Sequence, residues 1–215
     1  MKTGRGSFRP ERFQAGGDGG RGYGRPVTTA DRATSGPVPV RGAVIPRAAE
    51  RVITAALVVV RGPGGTVTFV RQERGPYAGW WLLPGGKVEF GEPVEQAARR
   101  EAVEESGCDP GELTLTGVYE IIGPGHHFVM WAYRAQRTAV VPDGFAGHHV
   151  GGVRQERWDL IEPHPTDMPI LNDAGAAAYP RELITERLAR EQIAMTCLLT
   201  GQSFGQPPGA RPIRR

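Results

Sequence analysis

Between Gly86 and Cys108 the chain crowds Glu92, Glu101, Glu104 and Glu105 around a single Arg100. Pro84-Gly85-Gly86 breaks a strand and opens a loop. Pro93 suits the first position of a helix, where its missing N–H costs nothing. Residues 94–106 are good helix formers, and Gly107 stands where a left-handed cap is expected. On that helix Ala97, Glu101, Glu104 and Glu105 fall at spacings of three and four and share a face. Ala98, Ala102 and Val103 mark a second, small and apolar face suited to packing on a sheet. Carboxylates this close raise one another's pKa, and a hard cation relieves the repulsion. Carboxylate oxygens, waters and phosphate oxygens are the ligands that Mg²⁺ prefers. The chemistry on offer is therefore a divalent cation held against a phosphate chain. A run of glutamates alone would read as a solvated helix face. What argues for a site is the fixed spacing of Gly86, Glu92, Arg100, Glu101, Glu104, Glu105 and Gly107.

That spacing resembles the signature of the Nudix hydrolases: G, five residues, E, seven residues, R-E, an aliphatic, any residue, E-E, any residue, G, an aliphatic. Every charged and glycine position agrees. Ala102 and Cys108 stand where larger aliphatics are usual, which bears on packing more than on chemistry. Trp81-Leu82-Leu83-Pro84-Gly85-Gly86 is similar to the family's W-x-L-P-G-G lead-in. The resemblance implies that Glu101, Glu104 and Glu105 bind metal, with the carbonyl of Gly86 completing the coordination. It implies that Arg100 orients a helix carboxylate by a charge-assisted bond and that Glu92 organises the loop-to-helix junction. Many relatives take one more carboxylate from a later loop, and Glu156 is the nearest candidate. The implied cofactor is Mg²⁺, with Mn²⁺ as an alternative. The implied reaction is metal-assisted hydrolysis of a phosphoanhydride, a glutamate taking the proton of the attacking water.

The remaining elements must present this segment. Residues 52–60 form an apolar, β-branched run that reads as a buried strand. Gly62-Pro63-Gly64-Gly65 is a turn, and 66–71 a second strand. Residues 113–122 and 127–135 read as two strands around Gly123-Pro124-Gly125. A long Gly-rich connection, 136–155, leads to a short strand at 156–161. A last amphipathic helix starts at Pro180, with Leu183, Ile184, Leu188 and Ile193 towards the core. The elements predict an α/β fold, a mixed sheet between helices. This agrees with the Nudix α/β/α sandwich that the resemblance implies over residues 50–200.

Substrate contacts are expected from the loop carrying Arg71, Arg74 and Tyr77, from the strand at 128–133 and from the connection carrying His148 and His149. Trp80, Tyr77 and Trp131, together with the substrate-contact candidate Trp81, offer a stacking surface for a base, although large aromatics are more often core. His126 and His127 are adjacent on a strand and so face opposite ways, which keeps them from sharing a metal. Pro124 lies sixteen residues beyond Cys108, where relatives acting on ADP-ribose often carry proline, but it fits a hairpin turn equally well. Leu82-Leu83-Pro84 looks more like the nucleotide-sanitising and general branch. The implied partner is a small diphosphate or nucleotide: a nucleoside diphosphate linked to a further group, a nucleoside triphosphate, or a non-nucleotide diphosphate such as a prenyl diphosphate. A ligand-sensing or nucleic-acid-binding module that keeps the fold without turnover is the reading from another class, which the intact glutamates oppose.

The chain has 215 residues and a formal charge of +3. The balance is +6 over residues 1–51, +3 over 201–215 and −6 between them. The expected domain is thus acidic, between basic segments. Residues 1–49 are Gly/Arg-rich and poor in apolar residues, so they are expected to be disordered, as is the Pro/Gly-rich stretch 201–215. A Gly/Arg segment can touch nucleic acid through phosphates, although composition alone favours a plain extension. No apolar run reaches membrane-spanning length, and the N-terminus lacks a secretory pattern. The two cysteines, Cys108 and Cys197, show no metal spacing. A cytoplasmic location with reduced thiols is the expectation. The resemblance leaves a homodimer open.

Overall fold

The computed structural model describes residues 51–205. The expectation for residues 1–49 falls outside them, as does the part of the C-terminal stretch beyond Gly205.

The site depends on one central strand. β1 (Val52–Val59) has a parallel neighbour, β6 (His126–Ala135), and an antiparallel one, β4 (Gly85–Lys87). From Ala55 onward the strand is buried on both faces and so is apolar rather than alternating, while Val52 and Thr54 at its start are exposed. Leu57 and Val59 face one core, with Phe69, Leu83, Ile121 and Leu171. Ala56 and Val58 face the other, with Ala97, Ala98 and Ala102. These last three belong to α1 (Val94–Ser106). Their small side chains seat the helix close to the sheet and hold its carboxylates next to β4. Val103, expected on this face, is instead 46% exposed, and Ala97 takes its place. Gly107 ends the helix at φ 69°, with its N–H on the carbonyl of Val103.

The larger sheet is mixed and runs β4-β1-β6-β5-β8-β9, with β5 (Leu113–Gly123), β8 (Ala194–Cys197) and β9 (Ser203–Phe204). β5 and β6 form the expected hairpin, turning at Pro124-Gly125 with Gly125 at φ 74°. A smaller antiparallel sheet runs β3-β2-β7: β3 (Trp81–Leu82), β2 (Val67–Gln72) and β7 (Val150–Glu156). α1 packs on one side of the large sheet. α2 (Asp167–Asp173) and α3 (Arg181–Arg190) pack on the other. The α/β sandwich with a mixed sheet is therefore present. Among the described residues no helix is long and apolar enough to cross a membrane.

Four elements differ from the sequence reading. The connection 136–155 contains most of β7, whose signal is masked by Gly151 and Gly152. The strand expected over 156–161 does not form; Glu156 ends β7 and the chain then turns. α2 is seven residues long, too short to show a period. The expected disordered stretch from 201 begins too early, because β9 pairs with β8 and Phe204 is buried under the Arg181 guanidinium, 4.7 Å from its ring. Phe204→Ala should lower stability by about 3 kcal/mol, the usual loss for a buried phenylalanine. An unchanged urea midpoint would return residues 201–205 to a dispensable tail.

Candidate active site

The Leu83–Gly86 stretch runs from the end of β3 into β4 and lies against β1. The Pro84 carbonyl accepts the Val58 N–H at 3.0 Å. A Cβ on Gly85 would lie 2.5 Å from Leu57 Cβ and 2.6 Å from the Ala56 carbonyl oxygen, so only glycine permits this approach. The Gly85 N–H then donates to Glu105 Oε2 at 2.9 Å, and Gln72 Nε2 reaches Oε1 at 3.3 Å. Glu105 is 6% exposed. Burial pushes its carboxyl up to about 7, with the nearby Glu101 charge acting in the same direction.

Gly86 has a similar reason to be glycine. A Cβ there would fall 2.3 Å from Glu101 Oε1. Glu101 is partly buried, and burial raises its pKa. Arg100 binds three carboxylates. Its Nε and Nη2 grip Glu92 in a fork at 2.9 and 3.0 Å, while Nη1 reaches Glu101 at 2.8 Å and Glu104 at 3.3 Å. The Glu92 fork holds that carboxyl below its usual range and raises the guanidinium. Glu92 also accepts the Glu89 N–H at 3.1 Å, which ties the loop to the helix start. Gly86, Glu92, Arg100, Glu101, Glu104 and Glu105 are thus gathered in one place.

Among the described residues no three His, Cys, Asp or Glu side chains are close enough to cage a cation by themselves. Mg²⁺ does not require such a cage: it retains waters and takes one or two carboxylates together with substrate phosphates. The Glu101 carboxylate closes onto the Gly86 backbone over space that a side chain would fill, and a desolvated Glu105 lies nearby. Both observations fit a hard cation.

Beside the glutamates opens a pocket of about 370 Å³. The large sheet forms its floor, with Leu57, Ile121, Phe128 and Met130. Its walls include Gln72, Arg74, Tyr77, Gly85 and Gly86. On the far wall Thr166 and Asp167 enter from α2. Asp167 is buried, its Oδ2 accepting the Leu83 N–H at 2.6 Å, and burial pushes its carboxyl up to about 7. Tyr77 rests on His164 with ring centroids 4.0 Å apart, and its hydroxyl meets His126 Nε2 at 2.9 Å. His164 is enclosed, and burial pushes its imidazole down to about 3, so it is a neutral packing group. His127 faces the other way, towards Glu120 at 3.1 Å, so the two adjacent histidines do point apart.

The sequence-predicted substrate residues divide. Arg74 and Tyr77 line the pocket, and Arg71 lies in an adjoining groove with Arg74. Trp81 does not line the pocket. Its indole lies beside Gly152 with the Arg154 guanidinium 5.2 Å from its ring, because its strand neighbour Leu82 takes the pocket side. His149 is exposed at φ 61° and stacked on His148. The loop is held by the His148 N–H on the Glu104 carbonyl at 2.8 Å, and its rings stay outside the pocket. Glu156 is also displaced. It pairs with Val67, whereas Gln72, which touches Glu105, lies five residues further along β2, roughly 17 Å away. Its Oε1 accepts the Arg157 N–H. Sequence reasoning missed Gln72, Thr166 and Asp167. The only available signal was an acid in the first turn of a helix too short to recognise.

A model of the NUDIX domain matches residues 51–170. The chain belongs to the NUDIX family. Over 99 residues it is 39% identical to the 8-oxo-dGTP diphosphatase of Escherichia coli K12, covering 46% of this chain and 73% of that one. Over 53 residues it is 43% identical to the ADP-ribose pyrophosphatase of Methanocaldococcus jannaschii, covering 25% of this chain and 31% of that one. It therefore spans less than a third of the archaeal relative. A crystal structure of a MutT NUDIX hydrolase from Burkholderia pseudomallei is 27% identical, covering 60% of this chain and 100% of that one, with a TM-score of 0.47.

The unfolded chain releases the Glu105 proton near pH 4.5, whereas the folded protein retains it to about 7. Ionising this carboxyl therefore costs folded stability as pH rises through that window, and the cost is fully present above it. In metal-free buffer Glu105→Gln should melt higher than the parent at pH 8, by up to ~3 kcal/mol. The two should converge near pH 4.5. Parallel curves would mean that Glu105 is not held in a desolvated site.

Proposed function

We propose that this chain is a divalent-metal-dependent hydrolase of nucleoside triphosphates that seats the base in the sheet-floored pocket and breaks a phosphoanhydride at the Gly86–Glu105 cluster. One observation carries the reading. A mainly apolar pocket with a single buried carboxyl, Asp167, opens directly onto the Gly85-Gly86 backbone beside the glutamates. A flat, apolar base with polar edges fits such a space, and phosphates attached to it lie towards the charged end.

Glu101, Glu105 and the Gly86 carbonyl are the groups that would hold Mg²⁺ or Mn²⁺, with Glu104 at the exposed margin. When bound, the cation neutralises the phosphate chain and lowers the pKa of water. The chain's own contribution is positional. The Gly85 N–H and the Gln72 amide fix both oxygens of Glu105. Arg100 holds Glu101 against Glu92, leaving Glu101 Oε2 open. A glutamate of this pair takes the proton of the attacking water, a role matched to a carboxyl raised by burial. Asp167 meets the base edge. Near neutrality it can present either a donor or an acceptor to the base, in competition with the Thr166 side chain.

The resemblance to an 8-oxo-dGTP diphosphatase supports the triphosphate reading, and an ADP-ribose pyrophosphatase among the relatives supports a second substrate class. The test is product release from nucleoside triphosphates, including oxidised purines, and from ADP-ribose, NDP-sugars and prenyl diphosphates, with and without Mg²⁺. We expect Mg²⁺-dependent cleavage of triphosphates, lost by orders of magnitude in Glu105→Gln. Asp167→Ala should raise KM and narrow the differences between bases while retaining most of kcat. Faster turnover of ADP-ribose than of any triphosphate would replace the first substrate class with the second. Normal rates in Glu105→Gln would remove the metal role.

A further inference from the structure

Four consecutive residues, Arg74, Gly75, Pro76 and Tyr77, form one wall of the pocket. They belong to a strap that leaves β2 after Gln72 and enters β3 at Trp81. Its neck is closed by the Gly79 N–H on the Gln72 carbonyl at 2.8 Å and by the Gln72 N–H on the Trp80 carbonyl at 3.0 Å. Gly75 and Gly79 stand at φ 84° and 89°. A Cβ on either would meet nothing within 4 Å, so glycine serves the backbone there and not the space. The wall is thus a short segment between two hinge-like residues.

Beyond the neck, among the described residues, one hydrogen bond ties residues 73–78 to anything outside the strap. It is the Tyr77 hydroxyl on His126 Nε2, at 2.9 Å. The Tyr77 ring lies on His164, with centroids 4.0 Å apart, and beside Phe128, at 6.1 Å. His126 is arranged to accept this bond. Its Nδ1 lies 3.2 Å from the Pro124 carbonyl, which can only accept. Nδ1 therefore carries the proton and Nε2 offers its lone pair. Burial pushes the imidazole down, which favours this neutral form. The ring also depends on Gly123, where a Cβ would fall 2.4 Å from His126 Cε1 and 2.5 Å from Nε2. His126 does not itself line the pocket and meets it only through Tyr77.

We propose that His126 is a positioning residue that latches this strap through Tyr77, so that the pocket wall is in place before the base arrives. A wall that had to be ordered on binding would cost affinity, and one held beforehand avoids that loss. This rests on the base-in-pocket reading above for what the wall contacts, while the latch itself can be read in the ligand-free chain.

The first arm needs no ligand. Imidazole ¹⁵N resonances of the full chain should show His126 as the Nδ1–H tautomer. Amide exchange at Ala78 and Trp80, whose N–H groups bond within the strap, should quicken about tenfold in Tyr77→Phe and in His126→Leu, the size of one neutral hydrogen bond. Exchange at Ile121 in the sheet should not change. The second arm is kinetic, with dGTP and Mg²⁺. His126→Leu should raise KM by up to about tenfold and keep most of kcat. Tyr77→Phe should raise KM similarly, and the double variant should be no worse than the poorer single one, because both remove the same bond. His126→Gln, which keeps an acceptor, should recover most of the loss. Gly123→Ala, which leaves both partners present but displaces the ring, should reproduce it. Binding of inorganic tripolyphosphate with Mg²⁺ should be the same in the parent and in His126→Leu. An Nε2–H tautomer, unchanged strap exchange, additive losses in the double variant, or an equal weakening of tripolyphosphate would each overturn the latch. If dGTP is neither bound nor cleaved, the base-in-pocket reading fails, and the ligand-free arm still decides the latch.

Discussion

Two buried carboxyls are anchored by two backbone N–H groups two positions apart: Leu83 holds Asp167 and Gly85 holds Glu105. The rest of the site depends on this short stretch. It is straight enough to bond β1 through Pro84 and bare enough at Gly85 to lie against Leu57. Both carboxyls are pushed up to about 7 by burial. Their N–H partners offset part of that penalty by favouring the charged form. A buried carboxyl without a partner would cost several kcal/mol. The support therefore sets both the places and the protonation of the groups at the two ends of the pocket.

The glutamate cluster is balanced in a second way. Arg100 sits among Glu92, Glu101 and Glu104 and compensates charges that would otherwise repel. Its firmest contact is the fork to Glu92, which belongs to the loop and not to the helix face. The guanidinium is thereby fixed from outside, and Glu101 is held from one side only. Glu104, at the exposed margin, is joined by one longer contact. The helix presents graded carboxylates, from enclosed to open, along little more than one turn.

Much of this was legible in the sequence because it depends on local chemistry. Gly107 announced the end of α1, the alanines its packing face, and the spacing of Glu92, Arg100, Glu101, Glu104 and Glu105 their meeting. The apolar, β-branched run at 52–60 announced a buried strand, and residues 55–60 of it are buried. What was hidden depends on tertiary contact. Asp167 lies on a seven-residue helix with no readable period, and its importance comes from Leu83, distant in sequence. β7 is disguised by its glycines. Trp81 looked like a stacking surface, but strand alternation gives the pocket to Leu82. Glu156 was the nearest carboxylate later in the chain, yet strand register sets it at the far end of β2 from Glu105.

In the proposed function the Leu83–Gly86 backbone carries both the cation end and the base end of one site. The most direct measurement is an amide NMR titration of the ¹⁵N-labelled chain, first with Mg²⁺ and then with a non-hydrolysable nucleoside triphosphate. Mg²⁺ should move the Gly85 and Gly86 resonances while leaving Leu83 nearly in place, and the nucleotide should then move Leu83. Shifts confined to other segments, with all three amides silent in both steps, would contradict it.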